Sequence, residues 1–270
     1  MPASPEPTVS LTPEQIAFFN EEGYLSIDAL TTPEEVERLR EIYDQLFDQQ
    51  AGREEGNQFD LAGPDEDGQA AALPQILNPA KYAPALNDTL LLVNARSIGQ
   101  QLLGEQAKAH FAHAIYKPAR SGAATPWHQD AAYWNPGLHY RTLSIWVPLQ
   151  PATIENGCMH FVPRSHEGEI VPHQSINNDP RVHGLELRPD QLHLTENAVA
   201  CPLGPGGATV HGGYMMHYAP ANRSEIPRRA LILSAAAPAT PRDEPLRFPW
   251  IEEKRTARSE RAKRAAEATG

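Results

Sequence analysis

The chain has 270 residues and a formal net charge of −11, from 23 Lys+Arg against 34 Asp+Glu; 40% of its residues are hydrophobic and the mean hydropathy is −0.49. That is enough chain for a sizeable core in one large or two small domains, and the acid excess argues against nucleic acid and anionic membranes as partners. No run approaches the roughly 20 apolar residues of a membrane span, and Met1–Ser10 lacks the basic and apolar regions of a secretory signal.

Residues 1–10 are Pro/Ser-rich and are expected to be disordered. Thr12-Pro13-Glu14 then opens a helix, with a capping threonine, proline at the first helical position and acid in the first turn; Gly23 ends it. Tyr24–Ile27 reads as a short strand. Thr32-Pro33-Glu34-Glu35 repeats the capping signature, and Val36, Leu39, Ile42, Tyr43, Leu46 and Phe47 recur at helical spacing. Residues 50–85 are polar at first and then half-ordered, and are expected to form a lid loop. Asn87–Leu103 predicts a third helix, stopped by Gly104.

Behind this point the period changes to two. His110–Tyr116, Leu143–Leu149, Met159–Val162, Gly168–Val171, Ala208–His211 and Ala230–Ala236 read as short strands, with Asn156-Gly157 as a hairpin signal. Twenty-six prolines fit such a turn-rich core. Helices in front of turn-linked strands predict one α+β, mainly β domain over 11–250, built as a sandwich or jelly roll. Residues 172–200 form a long polar insertion, the candidate second lid, and 251–270 read as an exposed charged helix or tail without chemistry. Cys158 and Cys201 have no metal-ligand spacing and are expected to be free, in keeping with a cytoplasmic location.

The chemistry centres on Thr125-Pro126-Trp127-His128-Gln129-Asp130. In an extended segment residues i and i+2 point the same way, so His128 and Asp130 can reach one ion. A His-x-Asp alone is a weak signal. A second histidine, His217, follows in a glycine-rich stretch, and two imidazoles with one carboxylate are the donor set of a mononuclear non-haem Fe(II) site. Arg228-Arg229 comes eleven and twelve residues later; a buried arginine calls for a carboxylate, whose geometry its fork matches. Only one of the two can face a cavity, because adjacent strand residues point to opposite faces.

Pro126-Trp127-His128-Gln129-Asp130-Ala131-Ala132-Tyr133-Trp134, Glu155-Asn156-Gly157-Cys158-Met159, Val162-Pro163-Arg164-Ser165-His166, and His217 with Asn222-Arg223-Ser224 and Arg228, taken in that order, resemble the phytanoyl-CoA dioxygenase family over about residues 11–237. The resemblance implies a double-stranded β-helix, the cupin-like jelly roll, with flanking N-terminal helices. It implies Fe(II), 2-oxoglutarate as cosubstrate and O2. Carried over by position, His128, Asp130 and His217 are the iron ligands, with His211 the rival for the distal one. Arg228 holds the far carboxylate of 2-oxoglutarate, with Arg229 the rival. Gln129, Trp146 and His113 line the cosubstrate pocket, and Tyr133 and Trp134 border the substrate. Ala219 departs from the pattern, since relatives often carry serine there. Asp130 is present, which favours hydroxylation over halogenation, the reaction of relatives that replace this carboxylate with a small residue. The expected partner is a small organic molecule, with a secondary metabolite preferred to a CoA ester; the chain is expected to be a monomer or homodimer. A second reading is a metal-containing jelly roll that binds or senses a small molecule without oxidising it, and a third is a zinc hydrolase.

Overall fold

The computed structural model describes residues 5–66 and 68–269. In chain order the elements are α1 (Pro13–Glu22), β1 (Tyr24–Ile27), α2 (Pro33–Asp48), β2 (Gln58–Asp60), β3 (Pro74–Leu77), α3 (Leu90–Leu103), β4 (Lys108–Lys117), β5 (Thr125–His128), β6 (Leu138–His139), β7 (Thr142–Pro148), β8 (Met159–Phe161), β9 (His173–Ser175), β10 (Leu185–Leu187), β11 (Val199–Cys201), β12 (Ala208–Gly212), β13 (His217–Ala219), β14 (Arg228–Ala236), β15 (Thr240–Pro241), α4 (Pro249–Glu252) and α5 (Ala257–Thr269). Seven strands pair in the order β1-β12-β7-β14-β4-β3-β2 and four in the order β11-β8-β13-β5, with two small ribbons, β9/β10 and β6/β15. Every ladder is antiparallel. The two large sheets make the jelly roll.

Period-two alternation assigns the faces. On β7, Leu143, Ile145 and Val147 join the core beneath the helices, whereas Trp146 packs with Phe161 and Met159 of the opposite sheet. On β14, Leu231, Leu233 and Ala235 face the helices, and Ala230 and Ile232 face the second sheet. On β4 the register jumps between the pairs Ile232↔His113 and Leu233↔Phe111. This bulge turns both Ala112 and His113 toward the space between the sheets while Phe111 stays in the helix-side core.

The helices cover the outer face of the seven-stranded sheet. Thr12 and Gln15 form a reciprocal capping box at α1, and Gly23 ends that helix at φ 83°. Any Cβ at Gly23 would lie 2.2 Å from Nδ1 of His166, so glycine is required by the close approach as well as by φ. Thr32 caps α2, which buries Val36, Leu39, Tyr43 and Leu46. The third helix starts three residues later than its sequence predicts. Thr89 caps it, a short 3-10 turn covers 84–88, and the Glu35 carboxylate accepts from the free Leu90 and Leu91 N–H groups at 2.9 and 2.8 Å.

Several expectations are corrected. Residues 1–4 of the front stretch lie outside the described residues, but Thr8 and Val9 are tied down: Thr8 N–H donates to Asn94 Oδ1 at 2.7 Å, and Val9 packs on the core. Much of 50–85 is built into the sheet edge, because β2 and β3 extend the seven-stranded sheet beyond β4; Asp67 of that segment lies outside the described residues. Residues 172–200 contain the β9/β10 ribbon and β11. There is no strand over 168–171; the pairing begins at His173. Asn156-Gly157 does turn the chain, with Gly157 at φ 96°, yet it joins β7 to a strand of the other sheet instead of closing a hairpin. Finally, the 251–270 tail docks. Arg261 is buried and pairs with Asp65, and a Cβ at Gly56 would lie 2.5 Å from the Arg258 carbonyl. No helix among the described residues is long and apolar enough to cross a membrane.

Candidate active site

A cavity of about 970 Å³ opens between the two sheets, at the top of the range usual for small-molecule sites, about 300–1,000 Å³. His128 ends β5, and Asp130 begins the 3-10 turn that follows. His217 begins β13, and the β5/β13 ladder sets His217 directly opposite His128. The pairing closes a gap in sequence that no local rule could close. The two rings lie 4.1 Å apart, and Asp130 Oδ1 is 3.6 Å from His128 Nε2 and 3.5 Å from His217 Nε2. One donor atom from each of the three residues lies within 4.8 Å of the others, a spacing that can hold a metal ion.

The ring orientations suit a metal. Nδ1 of His128 lies 2.7 Å from the Pro126 carbonyl, and Nδ1 of His217 lies 2.9 Å from the Met215 carbonyl. A carbonyl only accepts, so each Nδ1 carries the proton and each Nε2 presents a lone pair to the cavity. Burial, then the charges of His128 and His211, push the His217 imidazolium well below its ordinary value, so the ring is neutral as a ligand must be. Burial would raise Asp130, but His217, His128 and His211 outweigh it and hold the carboxyl well below the usual range.

Ser144, which the sequence reading missed, donates its Oγ–H to Asp130 Oδ2 at 2.5 Å. This leaves Oδ1 facing the two histidines. The signal was present: Ser144 lies two residues before Trp146 on β7 and so shares its face. Ser144→Ala is expected to lower metal affinity by about 10–100-fold while leaving the fold intact. An anaerobic Fe(II) titration checks this, and unchanged affinity would remove the orienting role.

His211 sits beside the triad. Its Nε2 is 3.6 Å from Asp130 Oδ2, its ring is 4.3 Å from that of His217, and both its buried nitrogens lack a hydrogen-bond partner. Arg228 is 1% exposed, with Nε and Nη1 unpartnered, and its guanidinium lies 5.2 Å from the Trp146 ring centroid. Burial alone brings it down to about 10. Arg229 points the other way and pairs with Asp44 of α2 at 2.6 Å. Lys117 is buried behind the wall, its Nζ donating to the Ala219 and Pro220 carbonyls at 2.8 and 2.7 Å. Opposite Ala219 in the ladder stands Thr125, which lines the cavity and offers a hydroxyl close to the position where relatives carry serine.

Trp146, His113, Tyr133 and Trp134 line the cavity. Burial pushes the His113 imidazolium down to about 4, so that ring is neutral. Trp134 packs on Gly213, where a Cβ would lie 2.4 Å from its ring. Gln129 is a correction. It is fully buried on the far side of the strand, donating to the Glu169 and Tyr214 carbonyls and accepting from Val171 N–H, so it clamps loops and does not meet the cavity. His183 lies in the wall and stacks on Tyr133. Lys254 and Arg258, from the tail assigned no chemistry, line the cavity too.

The family model for phytanoyl-CoA dioxygenase (PhyH) matches residues 19–230. The chain belongs to the phytanoyl-CoA dioxygenase family. It is a non-haem iron, 2-oxoglutarate-dependent dioxygenase. Among solved structures, EvdO2 from Micromonospora carbonacea var. aurantiaca, crystallised with 2-oxoglutarate, is 36% identical and superposes with a TM-score of 0.77 over 91% of this chain and 99% of its own. A Stutzerimonas stutzeri protein named as a probable α-ketoglutarate-dependent hypophosphite dioxygenase is 27% identical over 83% of this chain and 78% of its own. The methylphosphonate hydroxylase of Gimesia maris is 25% identical over 83% and 80%. This PhyH-family dioxygenase therefore has the jelly-roll core that its helix-then-strand order implies.

Proposed function

We propose that His128, Asp130 and His217 hold Fe(II), that Arg228 binds the far carboxylate of 2-oxoglutarate, and that the enzyme hydroxylates an unactivated C–H of a small organic substrate. The carrying observation is a buried, unpartnered guanidinium that lines the same cavity as three converging metal donors. An uncompensated buried cation is costly, and a carboxylate relieves that cost with a bidentate match. The iron and cosubstrate supply the oxidising power when bound, consuming O2 and 2-oxoglutarate and releasing succinate and CO2. The protein's part is placement. Pro126 and Met215 fix the two imidazole tautomers, Ser144 fixes the carboxylate, and Trp146 flanks the guanidinium. Segments 50–85 and 172–200 contribute Leu61, Gln75, Leu77 and His183 to the wall and help to exclude water.

Hypophosphite and methylphosphonate, named for two relatives, are small beside a cavity of about 970 Å³ with Tyr133 and Trp134 in its wall. A larger organic molecule, of the secondary-metabolite kind, fits that space better. Two buried free thiols, Cys158 and Cys201, support a reducing compartment such as the cytoplasm.

The test uses anaerobic protein mixed with Fe(II) and 2-oxoglutarate, followed by O2. A weak visible charge-transfer band and then slow succinate formation are the expected results. A protein that forms neither, and that binds zinc tightly instead, would sink the reading.

A further inference from the structure

The cavity has a second charged end, built by the C-terminal segment. Trp250 of α4 donates Nε1–H to the Ala132 carbonyl at 2.9 Å and stacks on Phe248 at 4.9 Å. Arg255 N–H donates to the Pro180 carbonyl at 2.8 Å, and Arg261 pairs with Asp65. Held at both ends, the segment fixes Lys254 and Arg258 in the wall.

Lys254 Nζ donates to the His183 carbonyl and lies 4.9 Å from the Tyr133 ring centroid. The Arg258 guanidinium lies 5.1 Å from the Phe59 centroid, and its buried Nε has no hydrogen-bond partner. Among the described residues neither cation has a carboxylate within salt-bridge distance, and Asp130 is the one acidic side chain lining the cavity. Arg258 also sits in the first turn of α5, where the helix dipole disfavours a cation. Burial, then the charge of Arg258, bring the Lys254 ammonium down to about 7. A chain with a net charge of −11 has thus placed two basic side chains, without counterions, in a cavity of about 970 Å³ with mixed aromatic and polar lining.

The iron end needs no further charge. A metal dication and Arg228 are matched by Asp130 and the two carboxylates of 2-oxoglutarate. Lys254 and Arg258 are matched by nothing. We propose that these two residues recognise an oxyanion, a carboxylate or a phosphoryl group, on the organic substrate. This rests on the iron and 2-oxoglutarate reading of the site. Tyr133 joins the two ends: Lys254 lies over its ring, and the ring centroid is 6.1 Å from that of His128. An anion on Lys254 therefore lays the body of the substrate along Tyr133, with its other end toward the metal ligands.

The test uses the full-length protein loaded anaerobically with Fe(II) and saturating 2-oxoglutarate. Phenylacetate, phenyl phosphate and the neutral phenylacetamide are titrated, followed by tryptophan fluorescence, since Trp134 and Trp250 adjoin the site. At least one anion is expected to bind about tenfold or more tighter than the amide, which corresponds to roughly 1.4 kcal/mol. Tighter phenylacetate identifies a carboxylate site and tighter phenyl phosphate a phosphoryl site. Lys254→Met with Arg258→Met is expected to bring both anions to the level of the amide, leaving 2-oxoglutarate affinity and uncoupled succinate formation within about twofold. Lys254→Arg, which keeps the charge, is expected to keep the preference and controls for folding of the double variant. Anions that bind the wild type no tighter than the amide, or that bind the double variant equally well, overturn the proposal. Absence of the visible band and of succinate in the wild type overturns the iron reading instead, whatever the anions do.

Discussion

His217→Ala is expected to abolish Fe(II) binding at micromolar metal and with it 2-oxoglutarate turnover. Loss of a group that only orients a ligand costs about 10–100-fold in metal affinity, so loss of one of three ligands should exceed a hundredfold. The geometry makes the result specific. His217 is fixed opposite His128 in the ladder, its Nδ1 is occupied by the Met215 carbonyl, and its Nε2 is 3.5 Å from Asp130 Oδ1. His211 is the control. It is equally buried and lies beside the other oxygen of the same carboxylate at 3.6 Å, so His211→Ala should retain iron binding. The visible band on anaerobic Fe(II) titration, read with the succinate yield, separates the two. If iron is lost from His211→Ala and kept by His217→Ala, the distal ligand has been misassigned.

Arg228→Met is expected to move two quantities in opposite directions. The first is 2-oxoglutarate binding. Truncating one partner of a buried, hydrogen-bonded charge pair costs about 2–5 kcal/mol, so KM for 2-oxoglutarate should rise by roughly 30-fold or more. The second is the stability of the protein without cosubstrate, which should increase. Arg228 is then a buried cation with Nε and Nη1 unpartnered, and the Trp146 ring offsets only part of its desolvation. The charge of Arg228 also helps hold down the neighbouring Lys117 ammonium, whose main penalty is burial. Replacing buried ionic groups with an apolar side chain of similar length is often stabilising by about 1–4 kcal/mol. For a chain of this size each kcal/mol is worth about 2–4 °C in Tm. A structural arginine would show the reverse, with lower Tm and unchanged KM. Arg229→Met, which breaks the pair with Asp44 on the outer face, should leave KM alone.

The alternation along β7 and β14 was legible because it is written in adjacent residues. Leu143-Ser144-Ile145-Trp146-Val147 gives one face to the helices and the other to the cavity, and the same parity separates Arg228 from Arg229. The helix starts at Thr12 and Thr32 were equally local, because a cap is a hydrogen bond between a side chain and an N–H three residues on. The ordered motifs also named His128, Asp130 and His217, although no local rule brings His217 to His128.

What the tertiary structure alone decided lies in contacts between segments with no shared period. Gln129 was expected in the cosubstrate pocket, and only the loops at Glu169, Val171 and Tyr214 show that it turns away and clamps them instead. The 50–85 segment looked like a loop because β2 and β3 are too short and polar to announce themselves; pairing with β4 makes them strands. The tail, rich in Glu, Lys, Arg and Ala, has the composition of a solvated helix. It docks because Gly56 admits its backbone and Asp65 accepts Arg261, and that docking puts two cations into the cavity. A residue's neighbours within one turn or one strand are set by the chain itself. Its neighbours across the fold are set by which surfaces close together, and a buried charge shows its purpose only once they have.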